Sequence, residues 1–92
     1  MTPQQAETTA LLALGWLAGN DALLPVFLGA SGADMATLRA QATEPGMLLA
    51  VLDFIVMDDA WVLDCAAALD LPPEAIPRAR EALPGGAQTH WT

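Results

Sequence analysis

Few residues of this chain belong to the types that bind metals. The chain has one cysteine, Cys65, and one histidine, His90, whereas zinc sites are built from clusters of these two residue types. Calcium-binding loops place several acidic residues at short intervals on a loop that contains a glycine, and the sequence around Asp58-Asp59 does not have this pattern. An N-cap followed by a first-turn carboxylate explains this pair more simply, because negative charge is favourable at a helix N-terminus. We therefore expect no metal site.

The sequence also lacks the residues in suitable positions for nucleophilic catalysis. Ser31 does not lie in a nucleophile-elbow motif. Cys65 falls on the apolar face of a predicted helix, where a free cysteine usually behaves as a small hydrophobic residue. Its charged neighbours are acidic, and a reactive thiolate requires positive ones. His90 lies near the end of the chain, far from any element that would hold it as a general base. We expect no catalytic residue and no enzyme activity.

The glycines do not form a cofactor-binding loop. Gly29, Gly32 and the pair Gly85-Gly86 match neither a Walker loop nor a dinucleotide fingerprint. They are more simply explained as residues that end helices. We therefore expect no bound cofactor.

The charge of the chain excludes further classes of partner. Eleven Asp and Glu residues against three Lys and Arg residues give a net charge of −8, whereas binding to nucleic acids and anionic membranes depends on basic side chains. Phe27–Arg39 has the outline of a helix-turn-helix, but its second helix offers only Arg39, Thr37 and Gln41 to DNA. We expect neither a nucleic-acid nor a membrane partner. An acidic protein that competes with nucleic acid for a basic partner remains compatible with this composition.

The composition indicates a small folded domain. The chain has 92 residues, of which 54% are hydrophobic, and this is too apolar for an intrinsically disordered protein. Its most apolar stretch, Met47 to Met57, is shorter than the roughly 20 residues that a membrane span requires. No Lys or Arg precedes Arg39, so the charged start of a secretory signal is missing. We expect a cytoplasmic protein, and the lone Cys65 fits a reducing compartment.

The hydrophobic spacing is helical throughout. It predicts an all-α, compact bundle of five to six short helices in a single domain, with residues 1–84 as the helical domain and 85–92 as a flexible C-terminal tail. The predicted helices are 3–18, a second helix that Asp21 caps and that reaches Ala30, a short third helix capped by Asp34, 45–57, 59–70 and 73–83. Pro77 predicts a kink or a late start in the sixth helix.

The fourth helix is apolar on almost every side, which predicts a central position in the bundle. At about 100° per residue, Leu48, Val51, Leu52 and Ile55 lie opposite Asp53. We therefore predict that these four residues form the centre of the core and that Asp53 faces water.

The chain has more apolar side chains than a core of this size needs. Leu49, Val56 and Met57 flank Asp53 on the fourth helix, and Trp16 projects from the polar side of the first. The surplus has two explanations, complete burial between neighbouring helices or a surface for a partner. Under the second explanation the predicted partner-binding residues are Leu49, Val56, Met57, Trp16 and Trp91.

The order of several short segments resembles that of a small alphaproteobacterial family, domain-of-unknown-function family 3572. The resemblance covers roughly residues 2–83, and Gly46 and Pro77 depart from the pattern. It implies a fold and a host group but no catalytic residue, because the family has no assigned activity. The matching segments are Thr2-Pro3 with Ala6-Glu7, Phe27-Leu28 with Gly32, Leu38-Arg39, Val51 to Phe54 followed by Asp58-Asp59, and Leu71 to Glu74 with Ala79-Arg80.

These observations favour a non-enzymatic protein–protein interaction module, either a homodimer or a small adaptor for another protein. The alternative is an acidic regulator, or nucleic-acid mimic, that acts on a basic, nucleic-acid-binding partner. A salt-sensitive association would favour the acidic regulator, and salt-insensitive self-association would favour the apolar surface.

Overall fold

A computed structural model describes residues 1–83 of the chain. These residues form one all-α domain, as the sequence predicts, and no strand occurs within them. The predicted boundary at residue 84 and the predicted tail 85–92 lie outside the described residues. The helices are α1 (Pro3–Ala18), α2 (Leu24–Ser31), α3 (Met35–Ala40), α4 (Pro45–Val56), α5 (Asp59–Ala68) and α6 (Ala75–Ala82).

Three helices begin at side-chain caps. At α1, the hydroxyl of Thr2 accepts a hydrogen bond from the backbone N–H of Gln5, and the Gln5 side chain accepts one from the N–H of Thr2. This capping box satisfies two donors that would otherwise lack a partner. Asp34 caps α3, and its hydrogen bond from the N–H of Thr37 lowers the pKa of the Asp34 carboxyl. Asp58 caps α5, as predicted.

The start of α2 differs from the prediction that Asp21 caps it. The N-cap position is Leu23, without a side-chain cap, and the chain before it turns at Asn20, whose Oδ1 accepts hydrogen bonds from the N–H groups of Ala22 and Leu23 at 3.1 and 3.0 Å. The resulting turn delays α2 until Leu24. Asx residues favour such local turns because the side chain reaches the backbone two or three residues ahead.

Two helices end through residues with left-handed backbone conformations. Gly32 has φ +73° and closes α2 by donating its N–H to Leu28. Asp70 has φ +56° after α5. There the N–H of Asp70 donates to Ala67 and that of Leu71 donates to Ala66, which is the bonding pattern of a Schellman motif.

Helices α1, α4 and α6 pack closely on one another and form the centre of the domain. Leu48, Val51, Leu52 and Ile55 are all buried, which confirms their predicted place in the core. On α1 the buried face follows Ala6, Thr9, Ala10, Ala13, Leu14 and Leu17. Thr9 belongs to this face because it lies three residues from Ala6 and four from Ala13, and residues at these spacings share a helix face.

The hairpin of α2 and α3 is peripheral to this centre. Phe27 is the buried residue of α2 and Leu38 that of α3. The sixth helix starts late, at Ala75, so Pro77 is its third residue and lies in the first turn, where the missing backbone donor has little effect. None of the helices within residues 1–83 has the length and hydropathy that crossing a bilayer would require.

Candidate functional site

An apolar depression on the described surface lies between α2 and α4. We call it the α4 groove. Its first part has a volume of about 230 Å³, and a neighbouring part of about 260 Å³ shares two of its lining residues. The first part is lined by Phe27, Ala30, Ser31, Ala50, Asp53, Phe54 and Met57, and the second by Ser31, Gly32, Ala33, Thr37, Gln41, Gly46, Met47 and Ala50.

Small side chains create this groove. Gly46, Ala50, Asp53 and Met57 follow one another along one stripe of α4, at spacings of four, three and four residues. The opposite wall, residues 30–33, consists of Ala, Ser, Gly and Ala. Because neither wall carries a large side chain over most of its length, the gap between them stays open. From Gly46 to Met57 the stripe is about 16 Å long, roughly three helical turns.

Aromatic rings form the floor of the first part. Phe27 of α2 meets Phe54 of α4 edge to face, with ring centroids 5.4 Å apart. Phe54 also stacks on Trp61 of α5, with ring centroids 4.8 Å apart. Offset stacking and edge-to-face contacts are the favourable arrangements of aromatic pairs. The floor is therefore fixed by contacts to three helices.

Met57 lies at the mouth of the groove. Its side chain is 75% exposed, the largest exposure among the large hydrophobic residues of the described chain. Methionine is flexible and polarisable, so it can adapt its shape to different apolar surfaces. An exposed methionine beside an aromatic floor is suited to contact with another apolar side chain.

Asp53 supplies the single charge that lines the groove. Its Oδ1 accepts a hydrogen bond from Nε of Arg80 on α6. The prediction that Asp53 faces water is thus only partly correct, because its side chain is half-buried and forms an ion pair with Arg80. Within the described residues Oδ1 is the only oxygen of this carboxylate with a protein hydrogen bond. Its other oxygen retains the capacity to accept one.

The structure separates the residues that were predicted to bind a partner. Met57 lies in the α4 groove, whereas Leu49 and Val56 lie on the other side of Asp53 and are half-buried against the core. Trp16 is half-buried on α1. Trp91 is outside the described residues. The sequence did not lead us to predict a site at Phe27, Ala50 or the other small lining residues. Their signal was the run of small residues at 29–33 together with Gly46 and Ala50 on the facing stripe.

Of the candidate nucleophiles, Ser31 lines the groove, whereas Cys65 lies in the core. Cys65 is fully buried, and desolvation raises the pKa of its thiol to about 11, so the thiolate is disfavoured near neutral pH. Within residues 1–83, no three His, Cys, Asp or Glu side chains come close enough to hold a metal ion. The groove offers apolar contact area and one carboxylate, and such groups are suited to binding.

Comparison with known proteins gives one match. The family model described as Protein of unknown function (DUF3572) matches residues 3–86. The chain belongs to the DUF3572 family. It matches no curated protein and no solved structure.

The DUF3572 match covers all six helices and every residue that lines the α4 groove. The groove is therefore built entirely within the family domain. The family description assigns no activity, so the role of this DUF3572 domain must be inferred from the groove itself.

Proposed function

We propose that this chain is a non-enzymatic protein–protein interaction module whose contact surface is the α4 groove. The observation that carries the proposal is Met57, which is 75% exposed at the mouth of a groove whose floor is lined by the buried rings of Phe27 and Phe54. A compact domain gains stability by covering an apolar side chain such as that of Met57. An accessible apolar side chain beside an apolar groove is typical of a surface that a partner covers.

The form of the groove favours a protein partner over a small molecule. Pockets for small ligands are usually concave sites that enclose most of the ligand and place several polar groups around it. The α4 groove is elongated and open, and Asp53 is its single charged group. An extended or helical segment can follow its length and cover both parts at once.

The partner is either a second copy of the chain or a different cytoplasmic protein. The acidic-regulator hypothesis also has a specific observation in its favour. Helices α1, α2, α4 and α5 contain no Lys or Arg, so the basic side chains are confined to Arg39 on α3 and to Arg78 and Arg80 on α6. A surface so depleted of positive charge favours a basic partner over an acidic one.

Site-specific photo-crosslinking in the cells that express the protein tests this proposal. A photoreactive residue at position 57 should form crosslinks to a protein, because Met57 lies at the mouth of the groove. The matched position is 63, since Leu63 is also an exposed apolar residue (55%) but lies on α5 beside Pro73 and Pro77. Equal crosslinking from positions 57 and 63, or none from either, would contradict a specific contact surface at the groove.

Sedimentation velocity on the purified chain identifies which kind of partner is involved. A dimer that a charge at Met57 dissociates, with helical content unchanged, would identify a second copy. A monomer at high concentration together with crosslinks from position 57 would identify a different protein.

A further inference from the structure

We propose that the α4 groove receives a basic amphipathic helix from another protein, with a Lys or Arg of that helix directed at Asp53. This inference rests on the proposed function and deepens it by naming the chemistry of the partner. It is carried by the shape of the groove and by the distribution of charge around it.

The walls of the groove are suited to a helix. The stripe of α4 is roughly three turns long, and the small residues Gly46, Ala50 and Ala30 allow another backbone to approach closely. An amphipathic helix places apolar side chains at i, i+3, i+4 and i+7, which matches a groove of this length. Its central apolar side chains would contact the ring of Phe54 and the side chain of Met57.

The charged residues of the segments that form the groove indicate the charge of the amphipathic helix that would bind there. Residues 24–58, which supply the lining, contain four acidic side chains, those of Asp34, Glu44, Asp53 and Asp58, and one basic side chain, that of Arg39. Asp53 is the one of the four that lines the groove, and N-cap hydrogen bonds hold the carboxylates of Asp34 and Asp58 at the starts of α3 and α5. Opposite charge across an interface raises the rate of association and selects the partner.

Asp53 is the residue of the groove that a partner cation would contact. Its carboxylate lines the groove, and only one of its oxygens is engaged by Arg80. A carboxylate can accept several hydrogen bonds at once, so a partner cation can bind Asp53 while Arg80 stays in place. Hydrogen bonds between ionised groups are roughly twice as strong as neutral ones.

A second copy of this chain is a poorer occupant. Each copy carries a net charge of −8, and the exposed apolar residues Leu12 and Leu63 lie on helices without a Lys or Arg. A second copy that used either helix would bring no cation to Asp53 and would add like charge at the rim. Like charges placed opposite each other oppose association.

The experiment is a selection with the full-length chain as bait. The probe is a displayed library of helical peptides of about 18 residues, about 27 Å long, with a fixed apolar stripe. All other positions are drawn equally from Lys, Arg, Glu, Asp, Gln and Ser. Selection at about 0.15 M salt limits the range of electrostatic attraction to about 8 Å. The selected peptides should contain an excess of Lys and Arg beside the apolar stripe.

Two variants with the same change in net charge separate specific from general attraction. Met57→Lys and Leu63→Lys each replace an exposed apolar residue by the same cation, one in the groove and one outside it. The dissociation constant of the best selected peptide should rise about tenfold or more for Met57→Lys, equivalent to about 1.4 kcal/mol. It should change by less than about twofold for Leu63→Lys. Met57→Glu should weaken binding less than Met57→Lys, because it removes the same contact without repelling a cation.

Selected peptides without a basic excess, no selected peptide at all, or equal effects of Met57→Lys and Leu63→Lys would overturn the inference. Crosslinks from position 57 to another protein together with any of these results would leave the proposed function standing. Crosslinks to a second copy would also refute the basic-helix partner. The absence of specific crosslinks from position 57 would contradict the proposed function itself.

Discussion

Leu52 offers the most direct test of the packing around α4. It is fully buried at the centre of the domain, so Leu52→Ala removes three carbon atoms whose neighbours cannot fully close the gap. Substitutions of this kind cost about 2–5 kcal/mol, and burial on all sides places Leu52 in the upper half of that range. A domain of this size has a free energy of unfolding of about 5–10 kcal/mol. Leu52→Ala should therefore remove at least about a third of it.

Urea unfolding followed by circular dichroism measures this loss as a lower midpoint with an unchanged slope. The matched control is Leu63→Ala, because the same atoms are removed from a side chain that is 55% exposed. Its free energy of unfolding should change by no more than about 0.5 kcal/mol. Leu52→Asp should abolish cooperative unfolding, since it buries an unpaired charge. A Leu52→Asp protein with a sharp, wild-type-like transition would refute the central position of α4.

Three further predictions concern single side chains. Asp58→Ala should lower the free energy of unfolding by about 0.5–2 kcal/mol, because it removes the 2.8 Å hydrogen bond from the N–H of Ala60; an unchanged urea midpoint would contradict the cap. Asp70→Gly should raise it by about 0.5–1 kcal/mol, because φ is +56° there, and a lower midpoint would show that the Asp70 side chain stabilises the turn. Between pH 9 and about 11 the unfolded chain loses the Cys65 proton while the folded chain keeps it, so stability should fall as pH rises through this range. Cys65→Ala should flatten that decline in urea midpoints measured at pH 8 and pH 10, and an equal decline in both proteins would show that other groups cause it.

The core of α4 and the limits of most helices were predictable from the sequence because they depend on local rules. Leu48, Val51, Leu52 and Ile55 repeat with the period of a helix, and only burial stabilises such a stripe. The late start of α6 follows from the geometry of Pro77, which is tolerated in a first turn. These features require no knowledge of which helices are neighbours.

The groove depends on tertiary contacts and was not predicted. The outer face of α4 looked uniformly apolar, so Leu49, Val56 and Met57 were grouped together. The structure divides them, because one side of Asp53 packs against the core and the other side faces α2. The partner of Asp53 is also distant in sequence: Arg80 lies 27 residues further along the chain, and no periodic pattern links the two.

The two walls of the groove differ in how firmly they are held. The α4 wall belongs to the close packing of α1, α4 and α6, so the positions of Asp53 and Phe54 are fixed before any partner arrives. The opposite wall belongs to the hairpin of α2 and α3, in which each helix buries one residue, Phe27 or Leu38. Segments with few buried contacts open at low free-energy cost. In the proposed complex, the fixed wall would set the positions of the partner's cation and apolar side chains, and the hairpin would adjust the width of the groove to the helix that enters it.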